Sequence, residues 1–394
     1  MGLKGIRSLR EHAKGGVPEM AFNEAIIREA ERIAWEDDSI SFKAIRQFAI
    51  DNWRKLGEAN PASSFTQLFR AGVQVFANGW YERTAIEYEK YVAELSSNKR
   101  QEFHAPLYGS DFPDEVQQGE PYQESRMVGV DRELINRKFM GGESFTREMF
   151  DDDQTGQIKT RMQKLGESAR LREELEAAGR IMGATALTQG KVTIAATTYT
   201  RVNSNGTTVG PYATNFYGTV GATAYGNRLT TFAQLSVGGL RTALQSLATA
   251  FDPLGVRIAV KPNTLLVSPF DSVNARTLLN SMYYPGVPGL GGQTASSATS
   301  GSLTGAFSDN ALKGMLNLAE NTFLPFGAWN VGVAKKGLVM QRRDPLEVVQ
   351  EVPNSGQSFA TDTIRFRSRM RWVMDWIDSS FWFQGNDGTA TVTQ

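Results

Sequence analysis

No cysteine occurs among the 394 residues, which excludes disulfides, thiolate metal sites and cysteine nucleophiles and suits a chain folded in a reducing cytoplasm. Histidine is nearly as scarce. His12 and His104 are the only two, and His12 sits among Lys4, Arg7, Arg10 and Lys14, where a fixed catalytic geometry is not expected. Net charge is missing as well: 42 Lys and Arg balance 42 Asp and Glu, so no global field draws the chain to nucleic acid or an acidic membrane. No apolar stretch approaches the ~20 residues of a membrane span. Residues 1–16 lack the apolar run of a secretory signal, and Ile6 stands where a myristoylation motif wants Ser or Thr, so neither export nor a lipid anchor is expected.

The familiar catalytic signatures are absent too. HExxH, GxSxG, GxxxxGK[ST] and the dinucleotide glycine fingerprint do not occur, and Gly289-Leu290-Gly291-Gly292 fails the last for want of a glycine at position 294. Asp151-Asp152-Asp153 invites a divalent-metal reading, but consecutive residues on a helix do not face one point, and negative charge at a helix start explains them. Asn205-Gly206-Thr207 matches a glycosylation sequon that has no meaning without secretion. No enzyme activity, cofactor or metal site is therefore expected.

What is present is enough apolar material, 41% of residues, for more than one core. Helical spacing dominates the first quarter: Phe22, Ile26, Ala30 and Ile33; Phe42, Ile45, Ala49 and Trp53; then Phe65, Leu68, Phe69, Val73 and Phe76. Helices this short need a surface to cover them, either an ordinary helical subdomain or neighbouring subunits. From Tyr81 to Phe139 the texture is of β-runs broken by turns, with Ile86–Val92 rich in aromatic and β-branched residues. Its charge and weak core signal predict a projecting, two-sided hairpin with no core on either face.

The longest predicted helix runs from about Thr155 to Met182 and would be on the order of 40 Å long. Its apolar stripe changes face midway: Ile158, Met162, Leu165 and Ala169 make one seam, and Leu171, Leu175, Ala178 and Met182 another. Arg172/Glu176 and Glu176/Arg180 are expected as exposed pairs. Beyond it, Gln189–Gly226 reads as strands and loops with a hairpin turn at Asn205-Gly206. Phe232–Phe251 reads as a helix, Leu265–Pro269 as a buried strand, Ala275–Met282 as a helix, Pro285–Gly305 as a surface loop and Trp329–Phe383 as strands.

The sharpest local pattern is Arg365-Phe366-Arg367-Ser368-Arg369-Met370-Arg371-Trp372. Alternation on a strand puts Arg365, Arg367, Arg369 and Arg371 on one face and Phe366, Met370 and Trp372 on the other. Such a guanidinium face can meet carboxylates of the same or an adjacent subunit, or phosphates.

In order along the chain, several segments resemble the major capsid proteins of tailed bacteriophages with the Hong Kong 97-type fold. Ser97–Pro106 resembles the extended hairpin called the E-loop. Val130–Leu134, Arg137–Phe139 and Phe145–Asp153 resemble the approach to the spine helix. Lys261–Pro269 with Ala275, Leu278 and Leu279 is similar to the A-domain strand and helix, and Arg365–Trp376 with Phe381 and Gly385 to the closing strands.

The resemblance implies an α+β fold divided into an N-terminal helical arm (1–78), the E-loop and flanking strands (79–142), a P-domain with its spine helix and following strands (143–235), an A-domain (236–335) and closing strands that return to the P-domain (336–394). It further implies a shell subunit assembling as hexamers and pentamers around double-stranded DNA. The partners implied are further copies, portal, scaffold or decoration proteins and nonspecifically held DNA, with no membrane. The location implied is the virion, assembled in the bacterial host cytoplasm. An encapsulin-like protein nanocompartment shell shares the fold and is the alternative.

Overall fold

The computed structural model describes residue 77 and residues 79–385, apart from 109–114, 120, 122–123, 125–127, 130, 147–148, 150–156, 184–185, 195–198, 231–233, 283–309 and 352–362. The helices expected before Phe76, Asp151–Asp153, His12 and the loop expected at Pro285–Gly305 lie outside the described residues. The architecture mixes helices and sheets, and the chain divides into two compact units.

The first unit comprises Met1–Ala85, Lys138–Arg172 and Asp344–Arg371. It holds the first part of helix α1 (Gln157–Met182), the strand Arg137–Thr146 and parts of two long strands, Leu338–Gln350 and Thr363–Trp376. Phe139 and Phe145 lie under two arginines of α1: Arg172 is 5.3 Å from the first ring centroid and Arg161 5.7 Å from the second. Gly166 allows close approach to the Ala77 backbone, which a Cβ there would overlap. Arg170 donates to the Tyr81 hydroxyl at 3.1 Å.

The second unit comprises Ile86–Arg137, Glu173–Arg343 and Trp372–Gln394. Its core is a four-stranded sheet ordered Asn317–Glu320, Thr264–Val267, Trp329–Gly332, Trp382–Gln384. Thr264–Val267 is buried at all four positions because it is flanked on both edges, parallel on one and antiparallel on the other. Helices α2 (Val237–Ala248) and α3 (Ser272–Asn280) cover this sheet. α2 is shorter than Phe232–Phe251 because Ser236 caps it, its side chain accepting from the Gly239 amide. Three small hairpins fill the Thr- and Gly-rich stretch, and at Asn205-Gly206 the turn forms with Gly206 at φ 75° while the Asn203 carboxamide oxygen accepts from the amides of Asn205 and Thr207.

The change of stripe along α1 coincides with the division into units: Leu165 and Ala169 are buried in the first, Leu175, Ala178 and Met182 in the second. Two expectations fail. Ile86–Val92 is not a strand but contains a 3-10 turn at Tyr88–Lys90, because the Glu174 carboxylate accepts from the amides of Glu87 and Tyr88 at 3.1 and 3.0 Å and i,i+3 spacing buries both Tyr88 and Tyr91. The hairpin, formed by Gln101–His104 with Arg132–Ile135 and by Leu107–Tyr108 with Val128–Gly129, is not two-sided. Its inner face buries Leu134 and Tyr108, and His104 hydrogen-bonds Gln341 at 3.0 Å.

Candidate functional site

The arginine strand belongs to the first unit up to Arg371. Its side chains alternate, with Phe366, Ser368 and Met370 buried, Arg367 exposed, and Arg365, Arg369 and Arg371 half-buried. Phe366 meets Phe145 edge-on with centroids 6.1 Å apart, and Ser368 exchanges hydrogen bonds with the backbone of Gly141 at 3.2 and 3.3 Å. The apolar side of the strand therefore faces α1, and the arginines occupy the opposite side of the sheet. Alternation along Arg137–Thr146 adds exposed Lys138 and Met140 to that outer side.

Asp344 lies 3.6 Å from Arg369 Nη2 and 3.8 Å from Arg371 Nε, so one carboxylate of the same chain serves two of the four guanidiniums. Glu347 is also exposed on the adjoining strand. Guanidinium forks on a rigid sheet, partly withdrawn from water, suit bidentate binding of carboxylate or phosphate.

Three polar clusters inside the second unit were not expected from the sequence. In the first, Glu173 is fully buried, accepts Arg342 Nη1 at 2.9 Å and Nη2 at 3.3 Å, and accepts the Tyr88 hydroxyl at 2.8 Å. In the second, Arg180 pairs with Glu176 at 2.9 Å and lies 3.6 Å from Asp375, while its carbonyl accepts from Trp376 Nε1 at 2.9 Å. Glu176/Arg180 is thus a buried pair, not the exposed one expected. The only signal available was that charged and apolar residues are spread all around this half of the helix.

The third cluster is centred on buried Arg201, which donates to the Phe251 carbonyl at 2.8 Å and to the Ser380 hydroxyl, with its guanidinium 4.7 Å from the Phe216 centroid and 5.3 Å from that of Tyr108. Asp378 accepts from the Tyr199 hydroxyl at 3.3 Å and the Ser380 hydroxyl at 2.6 Å, and Arg132 of the hairpin stacks on Tyr199 at 4.1 Å. Burial, then the Asp378 charge, pushes the Tyr199 phenol up to about 12. Burial also raises Tyr91, Tyr108, Tyr212 and Tyr217.

A protonated phenol is thus favoured in the folded state, so this stability is complete below the ordinary tyrosine range near pH ~10 and is lost as pH rises through the folded values. Alkaline titration should show these phenolates appearing together with loss of ellipticity. Smooth ionisation of every tyrosine near pH ~10 with the fold intact would contradict this.

Among the described residues no cluster of His, Asp and Glu is arranged to hold a metal, and no helix is long and apolar enough to cross a membrane. His104 is engaged with Gln341.

The model of the phage capsid protein family matches residues 137–383, well over half of the chain. No curated protein matches. Among solved structures, a chain of Mycobacterium phage Cain is similar at 13% identity, covering 72% of this chain and 81% of that one with a TM-score of 0.42. The mature capsid of bacteriophage PhiM1 aligns at 10% identity over 76% and 86% with 0.44, and the virus-like particle from Pyrococcus furiosus at 9% over 80% and 98% with 0.44. All three scores are below 0.5, so assignment rests on the family model.

Proposed function

The chain belongs to the phage capsid protein family, and from that premise we propose how this structural shell subunit, a component of the virion, is built and with what it assembles. The observation that carries the reading is the family match across residues 137–383, which takes in α1, the A-domain-like sheet and the arginine strand. Copies assemble as hexamers and pentamers into an icosahedral shell in the bacterial host cytoplasm and enclose double-stranded DNA, with portal, scaffold or decoration proteins as further partners.

The division proposed for the chain is the one implied by its resemblance to the Hong Kong 97-type fold: arm 1–78, E-loop 79–142, P-domain 143–235, A-domain 236–335 and closing strands 336–394. The one-sided hairpin supports the E-loop, and α1 supports the spine helix. Arg365, Arg367, Arg369 and Arg371 are proposed as an inter-subunit contact, because Asp344 already shows this face accepting carboxylate and the formally neutral chain gives no general attraction to DNA.

Expression of the full chain, alone or with its assembly partners, should give closed shells or capsomers by electron microscopy. A compact monomer that persists at high concentration would overturn the reading.

A further inference from the structure

Charge is distributed unevenly along the four-stranded sheet of the second unit. At the end where Asn317–Glu320 finishes, Glu320 pairs with Arg276 of α3 at 2.8 Å and accepts from the Ser272 hydroxyl at 2.6 Å, so both charges are matched. The opposite end, where Thr264–Val267 and Asn317–Glu320 begin and Trp329–Gly332 finishes, carries Lys261, Lys313, Lys335 and Lys336, all exposed. No ion pair joins Lys261, Lys313 or Lys335 to a described residue. The Lys336 ammonium rests over the Phe381 ring, 5.1 Å from its centroid.

Asn263 ties the segments that bear these lysines. Its amide donates to the Gly332 carbonyl at 3.0 Å, its carbonyl accepts from the Asn317 amide at 2.8 Å, and its side-chain oxygen accepts from the Ala334 amide at 2.8 Å. Lys261 lies two residues before it, on backbone that Pro262 restricts to extended conformations. Lys335 follows Ala334, and Lys313 stands four residues before Asn317.

The backbone supplies a second observation. The Lys336 amide donates to the Val333 carbonyl at 3.3 Å and closes a four-residue turn whose third residue, Lys335, has φ 59°. Glycine and asparagine suit that position, yet a lysine occupies it. Ala259, the other non-glycine residue with positive φ among the described residues, lies two residues before Lys261. Such strain persists where a side chain is needed in its place, and unmatched like charges repel one another until an anion covers them. Lysine carries a compact charge on a flexible stem and suits phosphates met in no fixed register, whereas the guanidinium forks of the arginine strand suit a fixed carboxylate.

Resting on the reading of the chain as a shell subunit that encloses double-stranded DNA, we propose that Lys261, Lys313, Lys335 and Lys336 form a patch that binds the DNA phosphate backbone. This end of the sheet then faces the interior of the shell. A formally neutral chain holds its DNA here, by local charge, and not through a general field.

A short fluorescent DNA duplex titrated with the full chain, held below its assembly concentration, reports binding by anisotropy. Four phosphate contacts predict an affinity that falls about a hundredfold between ~50 and ~200 mM salt. Changing all four lysines to glutamine should weaken binding at least about tenfold and flatten that dependence, while Arg367→Gln should stay within about twofold of the parent. Lys335→Gly separates contact from fold. It should weaken binding and lower the salt slope by about one, yet melt at or above the parent temperature because glycine relieves the positive φ. Particles made with the assembly partners should form at the parent yield from the four-lysine variant and retain less DNA.

Unchanged duplex binding by the four-lysine variant overturns the patch and leaves the shell reading intact. If shell yield is lost as well, the patch meets an acidic protein surface instead of DNA. Parent-like DNA retention despite lost duplex binding overturns the interior placement. A parent that binds duplex through these lysines but never forms shells overturns the shell reading while the phosphate contact stands.

Discussion

Replacing Arg342 with methionine is expected to destabilise the unassembled subunit by about 3–5 kcal/mol, enough to leave little folded protein at physiological temperature. The reason lies in the partner. Glu173 is 0% exposed, and Arg342 gives it two charged contacts, at 2.9 and 3.3 Å. Without the guanidinium, the carboxylate keeps the Tyr88 hydroxyl at 2.8 Å but loses the counter-charge that Arg342 brings to a site closed to water.

Removing both charges together should recover much of the loss, since a buried ion pair often contributes little over an apolar pair of similar volume. The Arg342→Met, Glu173→Met double variant is therefore expected to be markedly more stable than Arg342→Met alone. Glu94→Gln removes only a half-exposed carboxylate 3.5 Å from Arg342 and should cost under about 1 kcal/mol. Urea unfolding of the three variants measures the ordering. A single Arg342→Met variant as stable as its parent would show that the cluster does not hold the unit together.

That cluster also marks the limit of what the sequence makes legible. Glu173 and Arg342 are 169 positions apart and Tyr88 and Glu173 85 apart, and a periodicity argument sees residue types on one element, not the partner that arrives from another. Glu176 and Arg180 were accordingly expected to be exposed as i,i+4 partners. All four charged residues of α1 after Arg172, Glu173, Glu174, Glu176 and Arg180, are buried because partners satisfy them.

Where the pattern is local and the partner is simply the core, the reading succeeds. Leu265, Leu266 and Val267 are buried as a continuous apolar run requires, and the arginine alternation places Phe366 and Met370 inside. The shift of seam along α1 was legible as a change of face, though not as a passage between two compact units. The hairpin lies between these cases. The texture of the segment pointed to a hairpin, but Tyr108 and Leu134 give no local sign that Arg201 and the rest of the second unit will cover them. In Ile86–Val92, β-type composition lost to the Glu174 carboxylate, which fixes the turn from outside the segment.

A large effect from adding a single methyl group is expected at Gly385. This glycine donates its amide to the Trp329 carbonyl at 2.9 Å, and the Trp329 indole lies against its Cα, where a Cβ would overlap the ring. The opposite relation holds nearby: Gly332 pairs with Trp382 across the same two strands, and a Cβ at Gly332 would overlap the Trp382 indole. Both rings are fully buried, and Trp382 is tied further by its Nε1 donating to the Lys336 carbonyl at 2.9 Å. Neither glycine has positive φ, so the cost of substitution is steric rather than conformational. Overpacking usually costs about 1–3 kcal/mol where neighbours can yield, and these indoles are confined on all sides, so Gly385→Ala should cost at least about 3 kcal/mol. Trimming the ring in the same chain, Gly385→Ala with Trp329→Leu, should return part of it. Gly238 in α2 provides the contrast: it is exposed with nothing within 4 Å of an added Cβ, and Gly238→Ala in a helix should stabilise by about 0.5–1 kcal/mol. Thermal melting of the three variants, with near-ultraviolet dichroism reporting the indoles, gives the comparison. Gly385→Ala melting at or above the parent temperature would show that the Trp329 ring moves aside freely, and that the paired indoles are not what fixes the closing strand to the sheet.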